Sequence, residues 1–166
     1  IIKPEDPTRS GYKFIGWTLD GQSVSWQYDS SDRKYYIPMP ARDVTLSAAW
    51  EITAEGLNAL KTAKTQELTD YAAANGLDVP ANGILAATTE QAVLSAFNTA
   101  KQSMENIVSA RIAATQTLAA YALSKGVEVP ANGIAQAKTV EAIDEALNIA
   151  KAAVDQLAAS KTKVEA

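Results

Sequence analysis

The chain has 166 residues, a net charge of −4, 47% apolar and 20% charged side chains, and neither Cys nor His. The two missing residue types exclude thiol nucleophiles, disulfides, Ser-His triads and the usual nitrogen and sulfur metal sites, and the acidic balance argues against a nucleic-acid surface. No run reaches the roughly 18 apolar residues of a membrane span, so no membrane insertion, catalytic residue, metal or cofactor is expected within this stretch.

The aromatic residues divide the chain. Tyr12, Phe14, Trp17, Trp26, Tyr28, Tyr35, Tyr36 and Trp50 fall in the first fifty residues, and beyond them only Tyr71, Phe97 and Tyr121 remain. The first fifty read as β structure. Tyr12 to Leu19 is a strand ended by Asp20-Gly21, a hairpin signal because both positions tolerate positive φ. Val24 to Tyr28 alternates and is expected to pair back. Asp29 to Asp32 is a second turn, Tyr35 to Pro38 a short extended piece, and Val44 to Trp50 the closing strand. Three or four strands are predicted. Trp17 and Trp50 are expected in the core, because indole burial dominates small β cores. Asp29 and Asp32 suit turn chemistry better than calcium, which needs further ligands. Trp26, Tyr28, Tyr35 and Tyr36 lie in the variable hairpin, where cross-strand packing and ligand contact are both open.

Two segments in this region carry a resemblance. Pro7-Thr8-Arg9-Ser10-Gly11-Tyr12-Lys13-Phe14-Ile15-Gly16-Trp17 and Met39-Pro40-Ala41-Arg42-Asp43-Val44-Thr45-Leu46-Ser47-Ala48-Ala49-Trp50 closely resemble the two halves of the internalin-type B repeat, or Listeria–Bacteroides repeat. The resemblance covers residues 4–50. It implies a small, β-rich, grasp-like module of surface-anchored or secreted bacterial proteins, with a spacer or interaction role. Members of that family usually carry further strands before the Pro-Thr motif, so the module at residues 1–50 is expected to be incomplete at its N-terminal side. The chain also begins at Ile1 and is read as an internal or mature piece of a longer protein.

From Glu51 onward Ala-rich helical patterning takes over. Residues 61–110 align without a gap on residues 111–160, and Val79-Pro80-Ala81-Asn82-Gly83-Ile84 returns unchanged as Val129-Pro130-Ala131-Asn132-Gly133-Ile134. Self-similarity at such a period signals a tandem module. Thr53 caps a first helix whose apolar stripe is Leu57, Leu60, the Lys64 stem, Leu68, Tyr71 and Ala72. Gly76 and Gly126 supply left-handed stops, with Leu77 and Val127 placed for the contact that follows. Pro80 and Pro130 are expected at the first position of a short helix, with Ile84 and Ile134 plugging the bundle ends. Thr89 caps the next helix, whose buried face is predicted as Ala92, Val93, Ala96, Phe97, Ala100, Met104 and Ile107. The copy predicts Ala142, Ile143, Ala146, Leu147, Ala150, Val154 and Leu157. Asn98, Asn148, Lys101 and Lys151 are expected to flank these stripes.

Because neither Gly nor Pro interrupts residues 84–125, one helix is predicted from about Thr89 to Lys125, close to 55 Å long at about 1.5 Å per residue. The fold expected is α+β and multidomain. A β module at 1–50 is followed by helical repeats at 51–108 and 109–166, two three-helix units sharing a long central helix.

Ile134-Ala135-Gln136-Ala137-Lys138-Thr139-Val140-Glu141-Ala142-Ile143 is similar to a run in GA modules, the three-helix albumin-binding domains of Gram-positive surface proteins. FIVAR-like modules, associated with sugar or matrix binding, are a comparable resemblance for residues 53–163. The second helix of GA modules is longer and contributes much of the albumin contact, whereas here its place is held by the Val-Pro-Ala-Asn-Gly-Ile segment. Together these resemblances imply a non-catalytic, extracellular, cell-wall or cell-surface segment acting as spacer and adhesion module. Its partners would be a host protein such as albumin, or a surface glycan, and the chain is expected to be a monomer.

Overall fold

In the computed structural model, which describes residues 1–164, five short strands precede three α-helices. Strands β1 (Tyr12–Leu19), β2 (Gln22–Ser23) and β5 (Leu46–Ile52) form an antiparallel sheet in the order β2-β1-β5, while β3 (Gln27–Asp29) and β4 (Lys34–Tyr36) form a separate ribbon. The α+β class is as expected, but the strand count exceeds the three or four predicted. Val24 to Tyr28 does not return along β1 as one strand. Pairing stops after Thr18–Ser23 and the Val24 amide bond to the Trp17 carbonyl (3.1 Å), and the chain then leaves the sheet to begin the ribbon.

The first three residues lie antiparallel along β4. Ile2 bridges Tyr36, the Lys3 amide donates to the Tyr35 carbonyl (2.9 Å), and the Ile37 amide donates to the Ile1 carbonyl (3.0 Å). One edge of the ribbon is thereby covered by the chain itself.

The β1–β5 register shifts between Phe14 and Gly16, leaving Ile15 bulged outward and 58% exposed. A bulge reverses the pleat parity beyond it, which brings Phe14 and Trp17 into contact. Phe14 then meets Trp17 and Trp50 edge-on, each with ring centroids 5.6 Å apart. This cluster is shallow. Trp17 and Trp50 are half-buried rather than enclosed, and the buried hydrophobic residue of the first fifty is Ile37. So small a sheet has too little volume to enclose an indole.

Thr53 joins sheet to helix. Its amide and hydroxyl both donate to the Gly11 carbonyl (3.0 and 3.1 Å), and its Oγ1 accepts from the Gly56 amide (3.0 Å), capping α1 (Ala54–Ala74). Gly56 lets the two backbones meet, because a Cβ there would stand 2.0 Å from the Gly11 oxygen.

Helix α1 ends as the sequence predicts. Gly76 has φ 60°, its amide bonds the Ala73 carbonyl (3.3 Å), and the Leu77 amide bonds the Ala72 carbonyl (2.9 Å). This is the Schellman arrangement, and Gly126 and Val127 repeat it on Leu123 and Ala122 (3.0 and 3.1 Å). The Pro80 and Pro130 prediction is not met: neither begins a helix. The helical turn starts at Ile84 and Ile134, where Asn82 and Asn132 accept from the isoleucine amides (both 3.2 Å) and donate back to the proline carbonyls (3.1 and 3.2 Å). The Asn side chain, not the proline ring, orients this cross-piece. In the second copy the turn is a 3-10 helix, Ile134–Gln136.

Helix α2 (Glu90–Ser124) is uninterrupted for 35 residues, about 52 Å at 1.5 Å per residue. Thr89 caps it through the Ala92 amide (3.1 Å). Its first half packs with α1 around Leu68, Ile84, Val93, Phe97 and Met104. Its second half packs with α3 (Val140–Val164) around Leu118, Ile134, Ile143 and Val154. Ile107 packs against both clusters. Of the predicted faces, Ala92 and Leu157 are exposed, the latter by 46%. Ala92 lies in the first turn of α2 and faces out, whereas Val93 beside it is fully enclosed.

Candidate functional site

Trp26, Tyr28, Tyr35 and Tyr36 do not converge on one site. Tyr28 and Tyr35 are directly paired across the ribbon, with centroids 5.0 Å apart and planes tilted by 51°. They are 55% and 49% exposed, so the pair presents an open aromatic face. Tyr36, one residue further, donates its hydroxyl to the Asp32 carboxylate and lines a shallow depression with Gln27, Tyr28, Asp29 and Ser30. Trp26 is separate. It lines a cleft of about 330 Å³ with Phe14, Trp17 and Val24, near the Lys3–Asp6 ion pair (2.8 Å). The Trp17 indole nitrogen is buried without an acceptor among the described residues.

The carboxylates of this region shape turns. Asp29 accepts from the Ser31 hydroxyl and amide (2.6 and 2.8 Å), and these bonds hold its carboxyl below the usual range, the hydroxyl being the larger cause. Asp32 accepts from the Lys34 amide (3.1 Å). Asp20, at φ 51°, accepts from the Thr45 amide (2.8 Å) and pairs with Arg42 (2.7 Å), and it too is lowered, chiefly by the amide. These groups tie the β1–β2 turn to the start of β5 and fix the ribbon turn.

Tyr12 links the sheet to the helices. Its hydroxyl donates to the Glu90 carboxylate (2.6 Å), which raises its pKa, while the Arg9 guanidinium lies 3.7 Å from its ring centroid. With the Gly11–Gly56 contact, this gives the sheet two attachments: one to α1 and one to the first turn of α2.

Among the helices, the paired lysines behave as flanking residues. Lys101 reaches Glu67 (3.4 Å) and the ring of Phe97 (5.6 Å), and Lys151 lies 5.6 Å from the Tyr121 centroid. Asn98 and Asn148 are exposed. Tyr121 donates to Asp155 (2.8 Å), which lowers the carboxyl pKa and raises that of the phenol.

One residue was not anticipated. Arg111, midway along α2, donates to the Ala137 carbonyl from Nε (2.8 Å) and to the Asn75 and Gly76 carbonyls from its two terminal nitrogens (2.6 and 3.3 Å). It borders an open apolar depression with Val108, Ile112 and Ala135. The repeat register carried the signal, since Lys61, Arg111 and Lys161 are all basic at an offset of 50.

Residues 1–49 match the family model of the Listeria-Bacteroides repeat domain. The match spans the ribbon and the sheet as far as the middle of β5. No curated protein and no solved structure matches the chain. Among the described residues no helix is long and apolar enough to cross a membrane.

Proposed function

We propose that the chain is a non-catalytic segment of a bacterial cell-surface protein, in which a Listeria-Bacteroides repeat is set on a helical spacer. The observation that carries this reading is mechanical continuity from the module into the helices. Strand β5 passes through one residue into α1, the Gly11 carbonyl receives two bonds at that joint, and α2 runs unbroken beneath both helical cores. Such a joint holds the β module at a fixed position relative to the helices, which suits a surface spacer. Small-angle scattering of the fragment tests the spacer property: one extended, salt-independent profile supports it, and an ensemble with a freely moving module refutes it. Labelling intact cells with an antibody to the fragment tests the location.

The interaction part of the role is assigned to Tyr28 and Tyr35. Two exposed rings on one ribbon face form a stacking platform for a glycan or for a host-protein side chain. Binding to a glycan array or host extracellular proteins, lost in Tyr28→Ser/Tyr35→Ser, supports this. Unchanged binding by the double variant removes the assignment. Albumin recognition by the helical units is the competing assignment. The Val79–Ile84 segment argues against it, because Ile84 is fully enclosed and Val79 is the one large aliphatic side chain the segment exposes. Calorimetric titration of albumin decides between them.

A further inference from the structure

The basic residue that recurs every 50 positions makes a different set of bonds in each copy. Lys61 reaches forward within its own unit, donating to the Leu85 carbonyl (3.0 Å). Lys161 reaches back, donating to the Gly126 carbonyl at the end of α2 (3.1 Å). Arg111, with a helical unit on either side, does both: forward to Ala137 and back to Asn75 and Gly76. The seam around it is completed by the Lys138–Asp78 ion pair (2.8 Å) and by Leu77, which is 7% exposed. Ile107 joins the two cores there.

The same set of positions exists at the far end of the second unit, uncovered. Glu128 stands where Asp78 does and makes no ion pair among the described residues. Val127, in the place of Leu77, is only half-buried, and Leu157, in the place of Ile107, is 46% exposed. Lys161 holds the backward bond and makes no forward one among the described residues. The opposite end of the array is closed by the sheet, through Gly11 on Gly56 and Tyr12 on Glu90.

We propose that the end of the second unit formed by Val127, Glu128, Leu157 and Lys161 is an acceptor face for a further helical unit of the same kind. Helix α3 would continue into that unit's first helix as α2 does through the internal seam. The internal seam specifies the partner. It carries a basic residue at the place of Lys138 to meet Glu128, a turn carbonyl at the place of Ala137 to receive Lys161, and apolar cover for Leu157. In repeat arrays each unit is stabilised mainly by its neighbours, and a further unit would add on the side away from the β module. The inference rests on the seam and not on the proposed surface location, and either can fail without the other.

The test appends a second copy of residues 117–164 after Ala166 of the full chain, which keeps the 50-residue register. The expected result is a single thermal transition above that of the parent, with amide exchange around Val154 to Lys161 slowed by about tenfold or more. Leu157→Gln should leave the parent's melting temperature nearly unchanged and abolish the gain in the extended chain. An appended unit that melts separately, with exchange at Val154 to Lys161 unchanged, overturns the proposal. So does a parent chain that dimerises in sedimentation through this face and loses the dimer with Leu157→Gln, because the occupant would then be a second copy.

Discussion

The sheet region and the helical region are held together by different physics. In the first fifty residues, backbone pairing, turn carboxylates and half-buried rings do the work, and Ile37 is the enclosed side chain. In the helices the enclosed residues are Leu68, Ile84, Val93, Met104, Leu118, Ile134, Ile143 and Val154, each with almost no exposed surface. A sheet with so little enclosed volume gains stability from what it is attached to. The Gly11–Gly56 contact and the Tyr12–Glu90 bond are thus expected to matter more to the sheet than to the helices.

The largest effects should come from the cross-pieces. Ile84→Ala and Ile134→Ala each leave a cavity against α2 and are expected to cost about 2–5 kcal/mol. Chemical denaturation followed at 222 nm measures this, and a cost of much less than that would mean the two cores are looser than described. Gly56→Ala comes next, at about 1–3 kcal/mol from forced overlap. Its signature is regional: near-ultraviolet signals of Trp17 and Trp50 should change and exchange in β1 and β5 should rise while helix content stays. Equal loss in both regions would show that they unfold as one.

The two helix caps differ in what they hold. Thr89→Ala removes one cap bond, at about 1 kcal/mol. Thr53→Ala removes the equivalent cap and also a bond to Gly11, so it should cost more and should loosen the sheet, as thermal melts with tryptophan fluorescence would show. The smallest effect is electrostatic. Glu67 is lowered by Lys64 and then by Lys101, and Asp155 chiefly by the Tyr121 hydroxyl. A carboxyl lowered by folding stabilises above its unfolded pKa of about 4 and loses that contribution as pH falls through the folded value. Melting temperature should therefore decline slightly on the acid side, and Tyr121→Phe should flatten the part that belongs to Asp155.

Much of the helical region could be read from residue order. The Gly76 and Gly126 stops, the Thr53 and Thr89 caps and the unbroken α2 follow from local chemistry, which acts over a few residues. The errors arose in one local turn and where distant parts meet. Pro80 and Pro130 look like helix starts, but Asn82 and Asn132 compete for the turn and set its start later. Val24 to Tyr28 alternates like one strand, and nothing local reveals that its second half pairs with Lys34–Tyr36 instead. Burial of Trp17 and Trp50 depends on the thickness of the sheet, which no residue pattern encodes. The four aromatic candidates divided because the ribbon separates Tyr28 and Tyr35 from Trp26, and Arg111 was missed because its three acceptors lie in two distant places in the chain, Asn75-Gly76 and Ala137.

One continuous helix carries both helical cores. The most direct test of that continuity is a spin-label distance between cysteines placed at the exposed positions Gln91 and Leu123, in a chain with no cysteine of its own. A continuous α2 predicts a single narrow distribution near about 48 Å, from 32 residues at 1.5 Å each. A broad distribution, or one centred below about 40 Å, would mean that the helix bends or breaks at the seam and would contradict the account.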